Sequence, residues 1–198
     1  MPANSLHLLA SLNLSSQARI IDIGGGDSLL VDHLVATGYR HVTVLDLSAA
    51  ALAPPGSAWA SGRGPCAGWW VVGDVLTFQP EPKAYDVWHD RAAFHFCTTP
   101  AEIGAYLAVA ERAVPAAGYL TLGTFSTTGP TSCSGLPVRQ YSETTLARQL
   151  QRAALPNCVA CAKTTGPLFR PCKTSCFAPF AEPHSRPRSG LNTHSAEV

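Results

Sequence analysis

An apolar run followed by three glycines, "IIDIGGG" at positions 20–26, constrains the fold of this chain more than any other stretch. A short, continuously apolar segment bounded by glycine is typical of a strand buried on both faces of a parallel sheet. The next stretch, "DSLLVDHLVATGYR", has leucines at helical spacing, and we expect Asp27 to cap that helix. A strand, a glycine turn and a helix in this order predict a ligand site at a sheet edge.

Further strands and helices alternate along the chain. The stretches "HVTVLDL", "WWVVGDV", "YDVWHD" and "YLTLGTF" read as buried strands, and "NCVACAKTT" as a sixth. The clearest helix is "TPAEIGAYLAVAERAV", in which Thr99 and Glu102 form a capping box with Pro100 in the first turn. This alternation predicts an α/β fold with a doubly wound, mostly parallel sheet.

Three aspartates, Asp46, Asp74 and Asp90, fall at or near the ends of successive predicted strands. In a doubly wound sheet these ends meet at one edge, near the switch point at which ligands bind, so we expect a shared site. The dinucleotide fingerprint requires a third glycine at position 29, where this chain has Leu29. That difference disfavours an NAD-dependent oxidoreductase, which stays open as an alternative.

Charge and hydropathy exclude several classes of partner. Only 14% of residues are charged, and the residues from 163 onward hold five basic against two acidic side chains, which leaves the preceding part slightly acidic. Without a broad basic face we expect no nucleic-acid partner. No apolar window of about 18 residues predicts a membrane span. The first residues, "MPANSLHLLASLNL", lack a basic segment before the apolar one, so we expect a cytoplasmic protein.

Five stretches resemble, in order, the motifs of class I S-adenosylmethionine-dependent methyltransferases: "IIDIGGGDS", "VLDLS", "VGDV", "YDVWHDRAAFHF" and "AVPAAGYLTLGTF". The fourth is most similar to small bacterial methyltransferase domains, and its "DRAA" resembles a turn of thiopurine and thiol methyltransferases. The resemblance implies a Rossmann-like methyltransferase domain over 19–165, with an atypical C-terminal end. A short N-terminal helix in 1–18 would precede it, and an irregular tail, 166–198, would follow it.

The resemblance also implies a set of residues that contact S-adenosylmethionine. Asp46 would accept hydrogen bonds from both ribose hydroxyls, Asp74 would accept one from the adenine amine, and Asp90 would face the methionine end. The other members of this set would line the turn and the adenine pocket: Asp22, Gly24, Gly25, Gly26, Leu47 and Val75.

Methyl transfer needs a placed nucleophile that loses its proton. His89 and His95 are the candidate bases, beside Asp90 at the catalytic end, because histidine titrates near neutral pH. His95 lies between two phenylalanines and is better explained as a packed core residue than as a base. We expect the remaining substrate contacts from Arg91, Phe94 and Arg139.

We predict a small-molecule acceptor, because the body of the chain has no basic patch and because "DRAA" resembles thiol-methylating enzymes. A protein lysine methyltransferase and a non-catalytic cofactor-binding module are the alternatives. The seven cysteines are an odd number, typical of free thiols in a cytoplasmic chain. Four late ones fit a zinc site only loosely, so no metal is predicted: Cys158, Cys161, Cys172 and Cys176.

Overall fold

A computed structural model describes residues 3–27, 29–52, 69–91, 93–151 and 158–163 of the chain. Within them the helices are α1 (Ala3–Ser11), α2 (Leu30–Ala36), α3 (Ala49–Leu52), α4 (Pro100–Ala113) and α5 (Glu143–Gln151), with a 3-10 helix at Phe94–Phe96. The strands are β1 (Arg19–Ile23), β2 (His41–Asp46), β3 (Trp69–Val72), β4 (Val87–Asp90), β5 (Tyr119–Phe125), β6 (Ser132–Cys133), β7 (Leu136–Pro137) and β8 (Cys158–Lys163).

Six strands form one sheet in the order β3-β2-β1-β4-β5-β8, and every neighbouring pair is parallel. The strands β6 and β7 form a separate antiparallel hairpin. The chain runs from β1 outward to β3 on one side and from β4 outward to β8 on the other. The switch point therefore lies between β1 and β4, where Ile23 pairs with Asp90. This sheet confirms the predicted α/β, doubly wound fold.

The apolar strands separate two hydrophobic clusters, one on each face of the sheet. Ile21 and Ile23 of β1 belong to the cluster that includes α4 and α5, whereas Ile20 belongs to the cluster with α1 and α2. All three side chains are buried, as expected for a strand covered on both faces. The sheet edge between these clusters is where the predicted site residues converge.

The two predicted helix starts have different outcomes. At α4 the Thr99 hydroxyl accepts from the Glu102 amide at 3.2 Å and Glu102 accepts from the Thr99 amide at 2.9 Å, which confirms the capping box. These hydrogen bonds lower the pKa of Glu102. The Asp27 cap was wrong, since α2 begins at Leu30 after Leu29, with no side-chain cap. The left-handed Gly26 (φ 48°) extends the turn, so the helix begins later.

An exposed ion pair joins β1 and β4 at the end opposite the switch point. The Arg19 guanidinium donates to the Asp86 carboxylate at 2.6 and 3.2 Å, and the Arg19 amide donates to the same carboxylate at 2.9 Å. The side-chain hydrogen bond from Arg19 holds the pKa of Asp86 below its usual value. This pair fixes the starts of the two strands whose other ends carry the candidate site.

Some predictions fall partly or wholly outside the described residues. The tail 166–198 lies outside them, together with Cys172 and Cys176, while Cys158 and Cys161 lie on β8. Helix α1 lies within the predicted N-terminal segment, and the division at 19 and 165 stays a prediction. Among the described residues, no helix has both the length and the apolar character needed to cross a bilayer.

Candidate cofactor and substrate site

The turn after β1 brings the chain unusually close to the sheet. Gly24 and Gly26 have left-handed backbones, with φ of 65° and 48°, and the Gly24 amide donates to the Leu45 carbonyl of β2 at 2.7 Å. A Cβ on Gly25 would lie 2.7 Å from both Asp22 Oδ2 and Val44 Cγ1. Such contacts are shorter than van der Waals distance, so only glycine fits at position 25. The three glycines thus hold the turn against β1 and β2.

Asp22 lies beneath this turn and is paired with a histidine. Its Oδ1 is 2.7 Å from Nδ1 of His89, and each side chain is 4% exposed. The two residues are register partners on the parallel strands β1 and β4. His89 therefore contacts the carboxylate that lies beneath the glycine turn. From the sequence it was a candidate base. Its catalytic role stays a prediction that this burial does not favour.

Asp46 ends β2 beside the same turn, as predicted. Its Oδ1 accepts from the Ser48 amide at 2.8 Å, and its Oδ2 is 3.2 Å from the position of a Cβ on Gly26. The carboxylate is half-buried. The Gly73 amide after β3 donates to the Asp46 carbonyl at 2.9 Å, which brings the following Asp74 to the same edge. The structure thus brings Asp46 next to the glycine turn.

The residues after β3 form a tight polar turn with an apolar neighbour. The exposed Asp74 accepts from the Leu76 amide at 2.9 Å, and Val75 is half-buried and packs on the cluster that includes α4. Asp74 and Val75 therefore lie where the sequence placed them, after the third strand. Their contacts with adenine stay predictions.

Exposed apolar side chains surround this edge. Four large hydrophobic residues are exposed among those described, and three of them lie at the ends of elements at this edge. Leu29 precedes α2, Leu47 follows β2 and Val72 is the last residue of β3, with exposures of 55%, 75% and 56%. A cluster of exposed apolar residues is typical of a ligand or partner surface. Leu47 belongs to the predicted set. Val72 is not in that set, and its position as the last residue of β3 is the sequence signal that places it at this edge.

Asp90 ends β4 but is turned into the protein. It is 1% exposed and accepts from the amides of Ala93 and Phe94, at 2.8 and 2.9 Å, and from the Tyr106 hydroxyl at 2.6 Å. The hydroxyl in turn accepts from Trp88 Nε1 at 2.8 Å. Burial raises the pKa of Asp90 and raises that of Tyr106 well above its usual value. Asp90 therefore holds the β4 turn, and its contact with a cofactor stays a prediction.

The aromatic residues after Asp90 pack with the ends of β5 and of the following loop. Phe94 is buried and stacks on Tyr141 with ring centroids 5.6 Å apart, so it belongs to the core. His95 is also buried and stacks on Phe125 at 4.8 Å. Phe96 and Phe125 are half-buried. Of this group, the half-buried Phe96 and Phe125 present aromatic surface at the edge.

Two arginines are predicted to contact substrate. Arg91 directly follows β4 and is exposed. The Arg139 amide donates to the His95 carbonyl at 2.8 Å, and its guanidinium donates to the Thr98 carbonyl at 3.2 Å. Arg139 thus joins the loop after β5 to the 3-10 helix and the residues that follow it. Substrate contacts of Arg91, Phe94 and Arg139 stay predictions.

The thiol in this region is unreactive. Cys97 follows the 3-10 helix, and its burial raises the pKa of the thiol to about 12. Because the thiolate is the reactive form, Cys97 is inert at neutral pH. Among the described residues, no group of three or more histidine, cysteine, aspartate or glutamate side chains is arranged to hold a metal ion.

Solved structures with this fold include several methyltransferases. The 1,6-didemethyltoxoflavin-N1-methyltransferase of Burkholderia thailandensis, solved with 1,6-didemethyltoxoflavin and S-adenosylhomocysteine, is 25% identical, with a TM-score of 0.62 over 75% of this chain and 64% of that one. A TehB-like S-adenosylmethionine-dependent methyltransferase of Corynebacterium glutamicum is 20% identical, with a TM-score of 0.56 over 75% of this chain and 71% of that one. The cyclase SpnF is 15% identical, with a TM-score of 0.56 over 71% of this chain and 52% of that one.

These similarities confirm the predicted fold: the chain has the Rossmann-like fold of S-adenosylmethionine-dependent methyltransferases. It spans 64% of the length of the Burkholderia enzyme. No protein-family model and no curated protein sequence matches the chain. The presence of a cyclase among proteins of this fold means that the reaction must be argued from the site itself.

Proposed function

We propose that this chain is a class I S-adenosylmethionine-dependent methyltransferase with a small-molecule acceptor. The observation that carries the proposal is the approach of two strand ends, in which Asp46 Oδ2 lies 3.2 Å from the place of a Cβ on Gly26. A side chain at position 26 would press on that carboxylate, so glycine is what lets Asp46 and the turn lie side by side. A carboxylate beside glycine backbone suits a ligand with both a diol and an anionic end.

Each part of S-adenosylmethionine has a matching group at this edge. The ribose hydroxyls can both donate to the Asp46 carboxylate, which makes charge-assisted hydrogen bonds stronger than neutral ones. The amino-acid carboxylate is suited to amides of the glycine turn other than that of Gly24, which donates to the Leu45 carbonyl. The exposed Leu47 and Val72 supply the apolar surface that a purine ring needs.

The chain contributes placement to the reaction. When bound, S-adenosylmethionine supplies a methyl group already activated by the sulfonium. The protein must hold a nucleophile in line within about 3–3.5 Å, and such positioning can supply roughly 7–11 kcal/mol. His89 and His95 are 3% and 1% exposed, so the acceptor loses its proton to solvent. That route suits an acceptor whose nucleophile ionises readily near neutral pH.

The acceptor is proposed to be small for two reasons. The Burkholderia enzyme was solved with a small heterocyclic compound at 25% identity to this chain. The hydrogen bonds of Arg139 also hold the loop after β5 against the 3-10 helix, beside the aromatic residues of the edge. The half-buried Phe96 and Phe125 offer aromatic surface for such a compound. The cytoplasmic location stays a prediction of the sequence.

A transfer assay tests this function. The chain is incubated with methyl-labelled S-adenosylmethionine and either the small-molecule or the protein fraction of a cell extract, with Asp46→Ala as the inactive control. We expect label in the small-molecule fraction, and none with the control. Label on protein would overturn the acceptor class. Binding of the labelled compound without any transfer would instead support a non-catalytic module.

A further inference from the structure

The buried Asp22–His89 pair does more than fill the core between β1 and β4. The Nδ1–Oδ1 distance is 2.7 Å, and both side chains are 4% exposed. With its hydrogen on Nδ1, the imidazole donates to the Asp22 carboxylate. The imidazole thereby fixes the orientation of the Asp22 carboxylate about its Cβ–Cγ bond.

The second oxygen of that carboxylate supports the glycine turn. Asp22 Oδ2 lies 2.7 Å from the place of a Cβ on Gly25, so the backbone at Gly25 rests against it with no space between them. On its other side the turn is attached to β2, where the Gly24 amide donates to the Leu45 carbonyl. Rotation of the Asp22 carboxylate would therefore displace Gly25, which lies between two residues of the proposed cofactor contact.

Stability alone is a poor explanation of this pair. Burying a carboxylate and an imidazole costs desolvation free energy, and an apolar pair of similar volume is often as stable or more stable in such a place. The pair does supply orientation, because hydrogen-bonded partners behind a site hold the groups in front of it.

We propose that His89 is a positioning residue for the cofactor, which acts through Asp22 to hold the Gly24–Gly26 turn in its binding conformation. This inference rests on the proposed function. In this role His89 supports the binding site and does not act as the base. The ligand affected is the adenosyl compound, at its amino-acid end.

Two amide substitutions at one position separate positioning from polarity. In His89→Asn the amide nitrogen is attached to Cγ, like Nδ1 of histidine, and can donate to Asp22 in the same way. In His89→Gln the nitrogen is one bond farther from the backbone and cannot take that place. We expect His89→Asn to bind S-adenosylhomocysteine nearly as well as the wild-type chain. We expect His89→Gln to bind it about tenfold more weakly or worse, as when the supporting partner of a ligand group is lost.

Thr121 provides the matched control for a general effect on the core. It is the register partner of His89 on β5, is 1% exposed, and donates to the Trp88 carbonyl at 3.4 Å. Thr121→Val should change the melting temperature without changing the affinity for S-adenosylhomocysteine, measured by calorimetry. Equal losses of affinity in His89→Asn and His89→Gln, or a loss in Thr121→Val like that of His89→Gln, would overturn the inference.

A double variant keeps the test decisive if His89→Gln does not fold. Asp22→Leu combined with His89→Val replaces the pair by apolar side chains, and we expect it to fold and to bind about tenfold more weakly or worse. Wild-type affinity in this variant would overturn the inference. Failure of the proposed function would be visible in the wild-type chain, which would then give no heat with S-adenosylhomocysteine. Failure of the inference alone would leave wild-type binding intact.

Discussion

β1 and β4 are neighbouring strands that end at the same edge, but the turns after them are built in opposite ways. The Gly24–Gly26 turn after β1 lies beside the half-buried Asp46 and the exposed Leu47, which leaves surface for a ligand. The turn after β4 is filled by the protein itself, because two backbone amides and Tyr106 surround Asp90. A carboxylate at a strand end therefore indicates a ligand site only when groups of the protein do not already surround it.

The strongest test of this comparison is to fill the glycine turn. Gly25→Ala would place Cβ 2.7 Å from Asp22 Oδ2 and Val44 Cγ1, both on buried side chains. We expect the turn to be displaced, with loss of calorimetric binding of S-adenosylhomocysteine and a fall of about 1–3 kcal/mol in the free energy of unfolding.

Gly104→Ala is the matched control for that substitution. Gly104 lies within α4, and a Cβ there would meet no atom within 4 Å. The variant should gain about 0.5–1 kcal/mol in the free energy of unfolding, since alanine is the better helix former, and should bind as the wild-type chain does. Unchanged binding in Gly25→Ala would contradict the tight approach of the turn.

Asp90→Ala tests the other half of the comparison. It leaves the buried Tyr106 hydroxyl and two backbone amides without their acceptor, so we expect a loss of about 3 kcal/mol in the free energy of unfolding by urea denaturation. Asp90→Asn keeps one acceptor oxygen and should lose less. If Asp90→Ala were as stable as the wild-type chain and had lost only its affinity for the cofactor, Asp90 would belong with the cofactor-binding residues instead.

The smallest effect is expected at the far ends of the same two strands. Asp86→Asn should cost about 0.5–1 kcal/mol at neutral pH, because the ion pair with Arg19 is exposed. The pKa of Asp86 is lowered on folding, so this stability is present above its ordinary value of 3.8 and is lost as the pH falls through the lowered pKa. Wild type and variant should therefore converge in acid.

The control for this pH dependence is Glu81→Gln, which removes a negative charge from an exposed residue nearby. The free energy of unfolding of this variant should differ little from that of the wild type, both at neutral pH and in acid. Neither variant should change the affinity for S-adenosylhomocysteine, since both lie away from the switch point. A constant difference between Asp86→Asn and wild type over the whole pH range would contradict the lowered pKa.

The sequence predicted which strand ends and which turn meet at one edge, and the cofactor contacts of these residues stay predictions. Apolar strands bounded by glycine have a strong pattern, and parallel strand ends meet at one edge whatever the side-chain details. The position of Asp46 beside Gly26 follows from these two rules. The capping box of Thr99 and Glu102 was equally predictable, because its hydrogen bonds are local in the chain.

The sequence could not assign roles to the residues at the end of β4, where the protein itself surrounds the carboxylate. All four residues of β4 are buried, so the strand has no polar alternation to tell which face each side chain takes. His89 turns to Asp22 on one face, while Asp90 turns to Tyr106 on the other. These partners come from β1 and α4, and only the assembled sheet brings them together. The sequence alone therefore predicted the same catalytic role for His89 and Asp90.

The central claim is that the edge beside Asp46 binds an adenosyl amino-acid cofactor. Its most direct test is calorimetric titration of the wild-type chain and Asp46→Ala with S-adenosylhomocysteine and NAD. We expect binding of S-adenosylhomocysteine and not of NAD, and a loss of about 2–4 kcal/mol in binding free energy in the variant, from two charge-assisted hydrogen bonds. Binding of NAD alone, or equal affinity of the two chains for S-adenosylhomocysteine, would contradict it.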